Sequence, residues 1–236
     1  MNKARELLAS RMGPTTQRFE TGPGGGRPEL TTQDIAAALA FVPDGLGREL
    51  LEALWWPESA ARRREHLRKA VIGLVAPEFT GQMHALADAR TSFGIAKACM
   101  GWGGGQVTDA QRRELQRAEI GLEEARAAAW PNNTMEQLGV LAGAVISEMA
   151  GCGCCKACEG TRVQAAQTGG GVVECEACGG MGLEQLSGRK RGAAIGADQS
   201  AYHRFWRPVY EWMLAHMRSA EHVAAEQFSR ALNRAA

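Results

Sequence analysis

Long apolar runs are missing from this chain: nowhere in its 236 residues does an uncharged apolar stretch approach the roughly 18 residues that a membrane helix needs. The opening, Met1-Asn-Lys-Ala-Arg-Glu-Leu-Leu, reads as a short polar helix and lacks the apolar core of a secretory leader. A cytoplasmic protein without membrane contact is the expectation. Runs of β-branched residues are also scarce, while Ala, Leu, Glu and Arg abound, which argues against a large sheet and for a mainly α fold. Net charge is nearly absent, at +1, so the whole-chain balance says nothing about partners.

What is present starts with an ordinary globular composition, 45% apolar and 22% charged, sufficient to bury a core in one large domain or two small ones. The charge is unevenly spread. From Ser187 onward there are eight Lys or Arg against four acids, a local balance of +4 that leaves −3 for everything before it. A basic end suits phosphate contact, and a solvated helix surface has the same composition.

Punctuation divides the chain into helices. Residues 1–29 form a flexible N-terminal segment, whose linker, from residue 13 on, contains Thr-Gly-Pro-Gly-Gly-Gly-Arg-Pro. One helix starts near Thr32, with Thr-Gln-Asp-Ile-Ala-Ala, and stops before Pro43; the next runs to Trp56 and is cut by Pro57. A third is expected over Glu58–Val75, carrying Arg62-Arg63-Arg64-Glu65-His66, and a fourth over Gly81–Met100, ending in the Gly101–Gly105 loop. Thr108-Asp-Ala-Gln111 is a capping box for a charged helix closed by Trp130-Pro131. Asn133-Thr-Met-Glu136 opens the most apolar helix, with Met135, Leu138, Val140, Leu141, Val145, Ile146 and Met149. The expected organisation is a helical region over 30–132 and a second region over 133–236.

Six of the seven cysteines crowd between Cys152 and Cys178, with Cys99 apart. Clustering of this kind in a cytoplasmic chain points to metal rather than to a disulfide scaffold. Cys155-Lys-Ala-Cys158-Glu-Gly and Cys175-Glu-Ala-Cys178-Gly-Gly-Met-Gly each let two thiolates face one ion, and together they supply the four tetrahedral sulfurs of one structural zinc. Four thiolates leave no open position for water, so no catalytic metal is expected and the chain reads as a non-enzyme. Cys152 and Cys154 lie close enough to compete as ligands; Cys155 and Cys158 are preferred because their trailing glycine matches the second pair. A redox dithiol and another metal are the alternatives. Between the pairs, Thr161–Glu174 reads as a short hairpin around Gly169-Gly170-Gly171, within a knuckle region of 151–182.

From about 186 to 207 the spacing is that of a helix-turn-helix. Gly192 permits a close crossing, Ile195 packs beneath, Gly196 takes a left-handed turn, and Tyr202 with Phe205 plugs into the core. The residues expected to meet DNA are Arg189, Lys190, Arg191, Gln199, Ser200, His203, Arg204 and Arg207, with glutamine and arginine suited to base edges and Ser200 or Lys190 to phosphates. Pro208 is expected to end or kink the second helix, and an ordinary helical hairpin has the same local spacing. A following amphipathic helix, with Val209, Trp212, Met213, Met217, Val223 and Phe228, packs back on the core.

The order of these parts resembles the carboxyl-terminal half of the lambda-type Q antitermination proteins. The matching residues are Cys155 to Thr161, Cys175 to Gly182, Asp198-Gln199 at the start of the second helix, and Arg207-Pro208-Val209-Tyr210-Glu211, over about 135–236. Arg162 stands where a second glycine is usual, the hairpin is shorter, and little upstream of 130 resembles the family. The resemblance implies a phage or prophage regulator that binds double-stranded DNA beside a late promoter. It also implies contact with host RNA polymerase, paused with its sigma factor, through the β flap and sigma, followed by readthrough of terminators. The Arg62-Arg63-Arg64 face and the Thr108–Trp130 helix are then the expected surfaces for polymerase or nascent RNA. Two rivals are a zinc-containing helix-turn-helix regulator without a role in elongation, and a chaperone-like zinc module of the J-protein kind. The latter usually has four such cysteine repeats and a His-Pro-Asp tripeptide, whereas this chain has two and none.

Overall fold

The computed structural model describes residues 32–56, 64–101, 106–151, 155–161, 163–165, 171–180, 182, 184 and 186–235. Outside them lie the expected N-terminal segment and linker, Arg62 and Arg63, most of the 101–105 loop, Cys152 and Cys154, Arg162, and the glycines at 169 and 170. The described residues are mainly helical, and none of their helices is long and apolar enough to cross a membrane.

Two compact units emerge. One comprises the chain to Val71 together with Gly139–Ala236, and the other Ile72–Leu138. The division differs from the expected boundary at 132, because the first two helices belong with the carboxyl-terminal region. Helix α1 (Thr32–Ala40) and helix α2 (Leu46–Trp55) pack on the last helix, α8 (Arg207–Ala235). Ile35, Ala38, Leu39, Val42 and Leu51 form one apolar cluster with Ala224, Ala225, Phe228 and Leu232. The stripe on α1 and α2 is too short to bury itself, so it takes the nearest long apolar face, about 180 residues away in sequence.

The other unit centres on α3 (Arg64–Gly101) and α4 (Asp109–Ala128). Where two helices were expected there is one, continuous through Pro77 and Gly81. Proline removes one hydrogen bond and crowds the carbonyl four residues before it. That residue is Gly73, which has no side chain to add to the crowding. The capping box of α4 is present in both directions: Thr108 Oγ1 accepts from the Gln111 N–H at 3.2 Å, and Thr108 N–H donates to Gln111 Oε1 at 2.9 Å. Two bonds set α3 and α4 antiparallel, Gln111 Nε2 to the Cys99 carbonyl and the Trp130 N–H to Gln82 Oε1. Their least exposed positions recur at alternating steps of three and four, including Val75, Leu86 and Ala96 on α3 and Leu115, Leu122 and Ala125 in or beside α4's inner face. The spacing gives each helix one least exposed stripe.

Helix α5 (Thr134–Gly151) buries Leu138, Leu141, Ala144, Val145 and Met149 along one face, whereas Val140 is about half exposed. The expected hairpin forms from β1 (Val163–Ala165) and β2 (Val172–Glu174), antiparallel, with Val163 opposite Glu174. Helix α6 (Gly188–Ala194) follows, then a turn, then α7 (Gln199–Ala201) and a π-helical turn, Tyr202–Trp206, that runs straight into α8. Pro208 therefore does not end the helical run, although that run departs from regular α geometry just before it. The π turn closes with the Arg207 N–H on the Tyr202 carbonyl, and Pro208 enters at the first turn of α8, within a frame already shifted by the wider ring.

Phe228 is fully buried in the α1–α2–α8 cluster and Phe41 is 78% exposed. Phe228→Ala is expected to lower stability by about 3–5 kcal/mol and Phe41→Ala by about 0.5 kcal/mol or less, measured by urea unfolding followed by circular dichroism.

Candidate metal centre and the helical segment that follows it

Cys155, Cys158, Cys175 and Cys178 are buried together, and their sulfurs all lie within 4.8 Å of one another. The Cys155–Cys175 and Cys158–Cys178 sulfur separations are 3.9 and 3.7 Å. Thiolates bound tetrahedrally at about 2.3 Å from a zinc ion stand about 3.8 Å apart, so the spacing is that of a metal tetrathiolate. A disulfide would need about 2.05 Å. The four residues can hold one metal ion.

The knuckle backbone is built around these sulfurs. The Gly182 N–H donates to Cys178 Sγ at 3.1 Å, and the Cys155 N–H donates to the Gly182 carbonyl at 2.9 Å, joining the two knuckles. Donation to sulfur disperses the charge that four thiolates bring to one ion. In the second knuckle Gly179 and Gly180 take φ of 55° and 69°; the first knuckle places Glu159 at φ 50° and Gly160 at 84°. Glu159 thus accepts a left-handed conformation that costs an ordinary residue about 1–2 kcal/mol. The hairpin is tied to the first knuckle by Gln164 Nε2, which donates to the Ala157 carbonyl at 2.9 Å. Without metal, burial raises the Cys175 thiol to about 11, the neighbouring thiols adding to the rise.

Past the metal cluster, Ser187 caps α6 by accepting the Lys190 N–H, and Asp198 caps α7 by accepting the Ala201 N–H at 2.8 Å. Gly196 takes φ 72° in the turn. A side chain at Gly192 would meet the Ala197 carbonyl oxygen at 3.0 Å and Tyr202 Cβ at 3.2 Å, so it would fit only with a shift of a few tenths of an ångström in that crossing. Tyr202 is buried as expected. Phe205, within the π turn, is not, being half exposed. Arg189, Lys190, Gln199, Ser200, His203, Arg204 and Arg207 are all exposed.

Arg191 departs from the expected set. It is 6% exposed, and its guanidinium grips Glu148 on α5 with two bonds, Nε to Oε2 at 2.9 Å and Nη2 to Oε1 at 2.7 Å. Arg189 and Lys190 before it face water, while Arg191 with Gly192 lies on the packed face of α6, so it is unavailable to DNA. The Tyr210 hydroxyl donates to the same carboxylate at 3.0 Å, and Arg218 Nη2 lies 3.6 Å from it. Glu211 lies 3.5 Å from Arg191 Nη1 and accepts from Arg207 Nε at 3.0 Å. Burial alone weakens a guanidinium's charge; the Glu148 carboxylate outweighs it and holds Arg191 above its ordinary pKa. Burial, then the adjacent carboxylate, raises the Tyr210 phenol. Sequence reasoning missed Glu148, Tyr210, Glu211 and Arg218. One signal was available, since Glu148 falls on the same helical stripe as Leu141 and Val145, where a carboxylate needs a partner.

No protein-family model, curated protein or solved structure matches this chain.

Two outcomes are expected. Titrated with a thiophilic divalent ion, the metal-free chain binds one equivalent. Its affinity falls as pH falls, because protons compete for the thiolates; Cys175→Ser loses the site and Cys99→Ser keeps it, read by absorption spectroscopy. Glu148→Gln leaves Arg191 buried beside a neutral amide and is expected to cost about 3–5 kcal/mol in urea unfolding.

Proposed function

We propose that this chain is a zinc-stabilised, sequence-specific DNA-binding regulator of transcription, and not an enzyme, acting as the lambda-type Q antitermination proteins do. In this reading Cys155, Cys158, Cys175 and Cys178 hold one structural zinc, saturated by four thiolates, so that the ion organises the fold and performs no chemistry. The segment α6–turn–α7 is the helix-turn-helix, and α7 with the π turn enters the major groove. Gln199, His203, Arg204 and Arg207 address base edges, while Arg189, Lys190 and Ser200 hold phosphates.

The observation that carries the reading is the order and exposure of these parts. A buried four-cysteine cluster is followed within ten residues by a capped short helix, a left-handed glycine turn and a second helical segment. That second segment turns Tyr202 inward and leaves Gln199, Ser200, His203, Arg204 and Arg207 in water. The resemblance over about 135–236 supplies the rest: a DNA element beside a phage late promoter, host RNA polymerase engaged at its β flap and sigma factor in the bacterial cytoplasm, and terminator readthrough. Arg64, exposed at the start of α3, and the charged helix α4 are the surfaces offered to polymerase or nascent RNA.

The test is transcription by purified polymerase on a template with the phage's own late promoter and a downstream terminator. Readthrough is expected only with this protein, its metal and the promoter-proximal DNA all present. Specific DNA binding without readthrough would leave a regulator that acts before elongation, and the absence of both specific binding and readthrough would contradict the proposal. Arg204→Ala is expected to reduce discrimination among duplexes by about 1–3 kcal/mol; an equal loss on every duplex would reassign Arg204 to a phosphate.

A further inference from the structure

On a regular helix, residues three apart share a face. Phe205, three residues after the buried Tyr202, is nevertheless half exposed. It lies within the Tyr202–Trp206 π turn, closed by the five-residue bond from the Arg207 N–H to the Tyr202 carbonyl. Turns of this kind inside helices occur frequently at functional sites. A large apolar ring thus stands among exposed polar and basic side chains, His203, Arg204 and Arg207. The Arg204 guanidinium carbon lies over that ring, 5.3 Å from its centroid.

We propose that Phe205 contacts the 5-methyl group of a thymine in the major groove, and that Arg204, stacked on its ring, takes the guanine of the same or the adjacent base pair. The inference rests on the DNA-reading assignment of α7 and the π turn made above. Its chemistry is simple: thymine alone among the four bases presents a methyl group in the major groove, and aromatic side chains are among its partners. Arginine pairs with guanine O6 and N7 through two donors. Base pairs stack about 3.4 Å apart, so a guanidinium carbon 5.3 Å from the ring centroid lies about one to two steps from the base the ring touches. The π turn is then a specificity device, adding an apolar reader to a helix whose other exposed residues read by hydrogen bonds. Phe205 is outside the metal cluster and the Glu148 network, so its replacement leaves both intact.

The experiment selects duplexes from a random pool with the metal-loaded, full-length chain. Each thymine of the selected site is then replaced by deoxyuridine, which removes only the methyl group. One replacement, beside a guanine, is expected to weaken wild-type binding about four-fold, the value of one buried methyl. Phe205→Ala is expected to bind the thymine and uracil duplexes equally, and Arg204→Ala to lose the preference for the neighbouring guanine. Wild-type indifference to every replacement would overturn the proposal while leaving DNA reading intact, and needs no variant to fold. A uracil penalty that persists in Phe205→Ala would also overturn it. Failure to select any duplex would remove the DNA-reading assignment and this inference together.

Discussion

A single carboxylate, that of Glu148, sets the geometry on which the carboxyl-terminal part depends. It is 2% exposed on an otherwise apolar helix face, where an unpaired charge is prohibitive. Arg191 from α6 and Tyr210 from α8 answer it directly, with Arg218 close by. Glu211, between Arg191 and Arg207, extends the network to two carboxylates and three arginines. Replacing such a network by apolar residues is often neutral or stabilising, so stability alone does not account for it. What it supplies is direction: the two-pronged Arg191 bond admits one orientation of a helix only seven residues long. Gly192, next to Arg191, then sets how closely Tyr202 approaches, and Gly196 sets the turn between them.

The metal cluster answers a different problem. The two strands of the hairpin have three residues each, and Val163, Val172 and Val173 all remain exposed, so the hairpin has no core of its own. Four buried sulfurs able to hold one ion, with the Gly182 amide on Cys178, stand in for the missing core over a few residues. Glu159 takes a left-handed conformation in the knuckle that brings the four sulfurs together, so local backbone preference yields there to the convergence of the cysteines. Cluster and carboxylate act on successive stretches, the first ending at Gly182 and the second beginning with the Ser187 cap.

The parts legible in the sequence were those whose determinants lie within a few residues. The Thr108–Gln111 capping box, the two cysteine pairs, the hairpin between them and the left-handed Gly196 all rest on local chemistry, and the structure has each of them. Partners distant in sequence were not legible. Nothing near Ile35 or Leu51 points to Phe228, and nothing near Arg191 points to Glu148, 43 residues earlier. Arg191 shows why charge misleads: Arg189, Lys190 and Arg191 look alike as letters, and only the packed face of α6 separates them. Two local rules also gave way to context. Pro77 did not divide α3, and Pro208 did not end the segment after Gln199, because the π turn before it had already changed the bonding frame.

In the proposed function, the Glu148 network and a metal on the four cysteines together hold one exposed helical segment, Gln199–Arg207, for contact with DNA. Hydrogen–deuterium exchange of the metal-loaded chain, with and without a selected duplex, tests it most directly. The account predicts slowed exchange concentrated in 188–207 on adding the duplex, with little change in α1 and α2. Protection confined to α3 and α4, or none in 188–207 while the duplex is demonstrably bound, would contradict it.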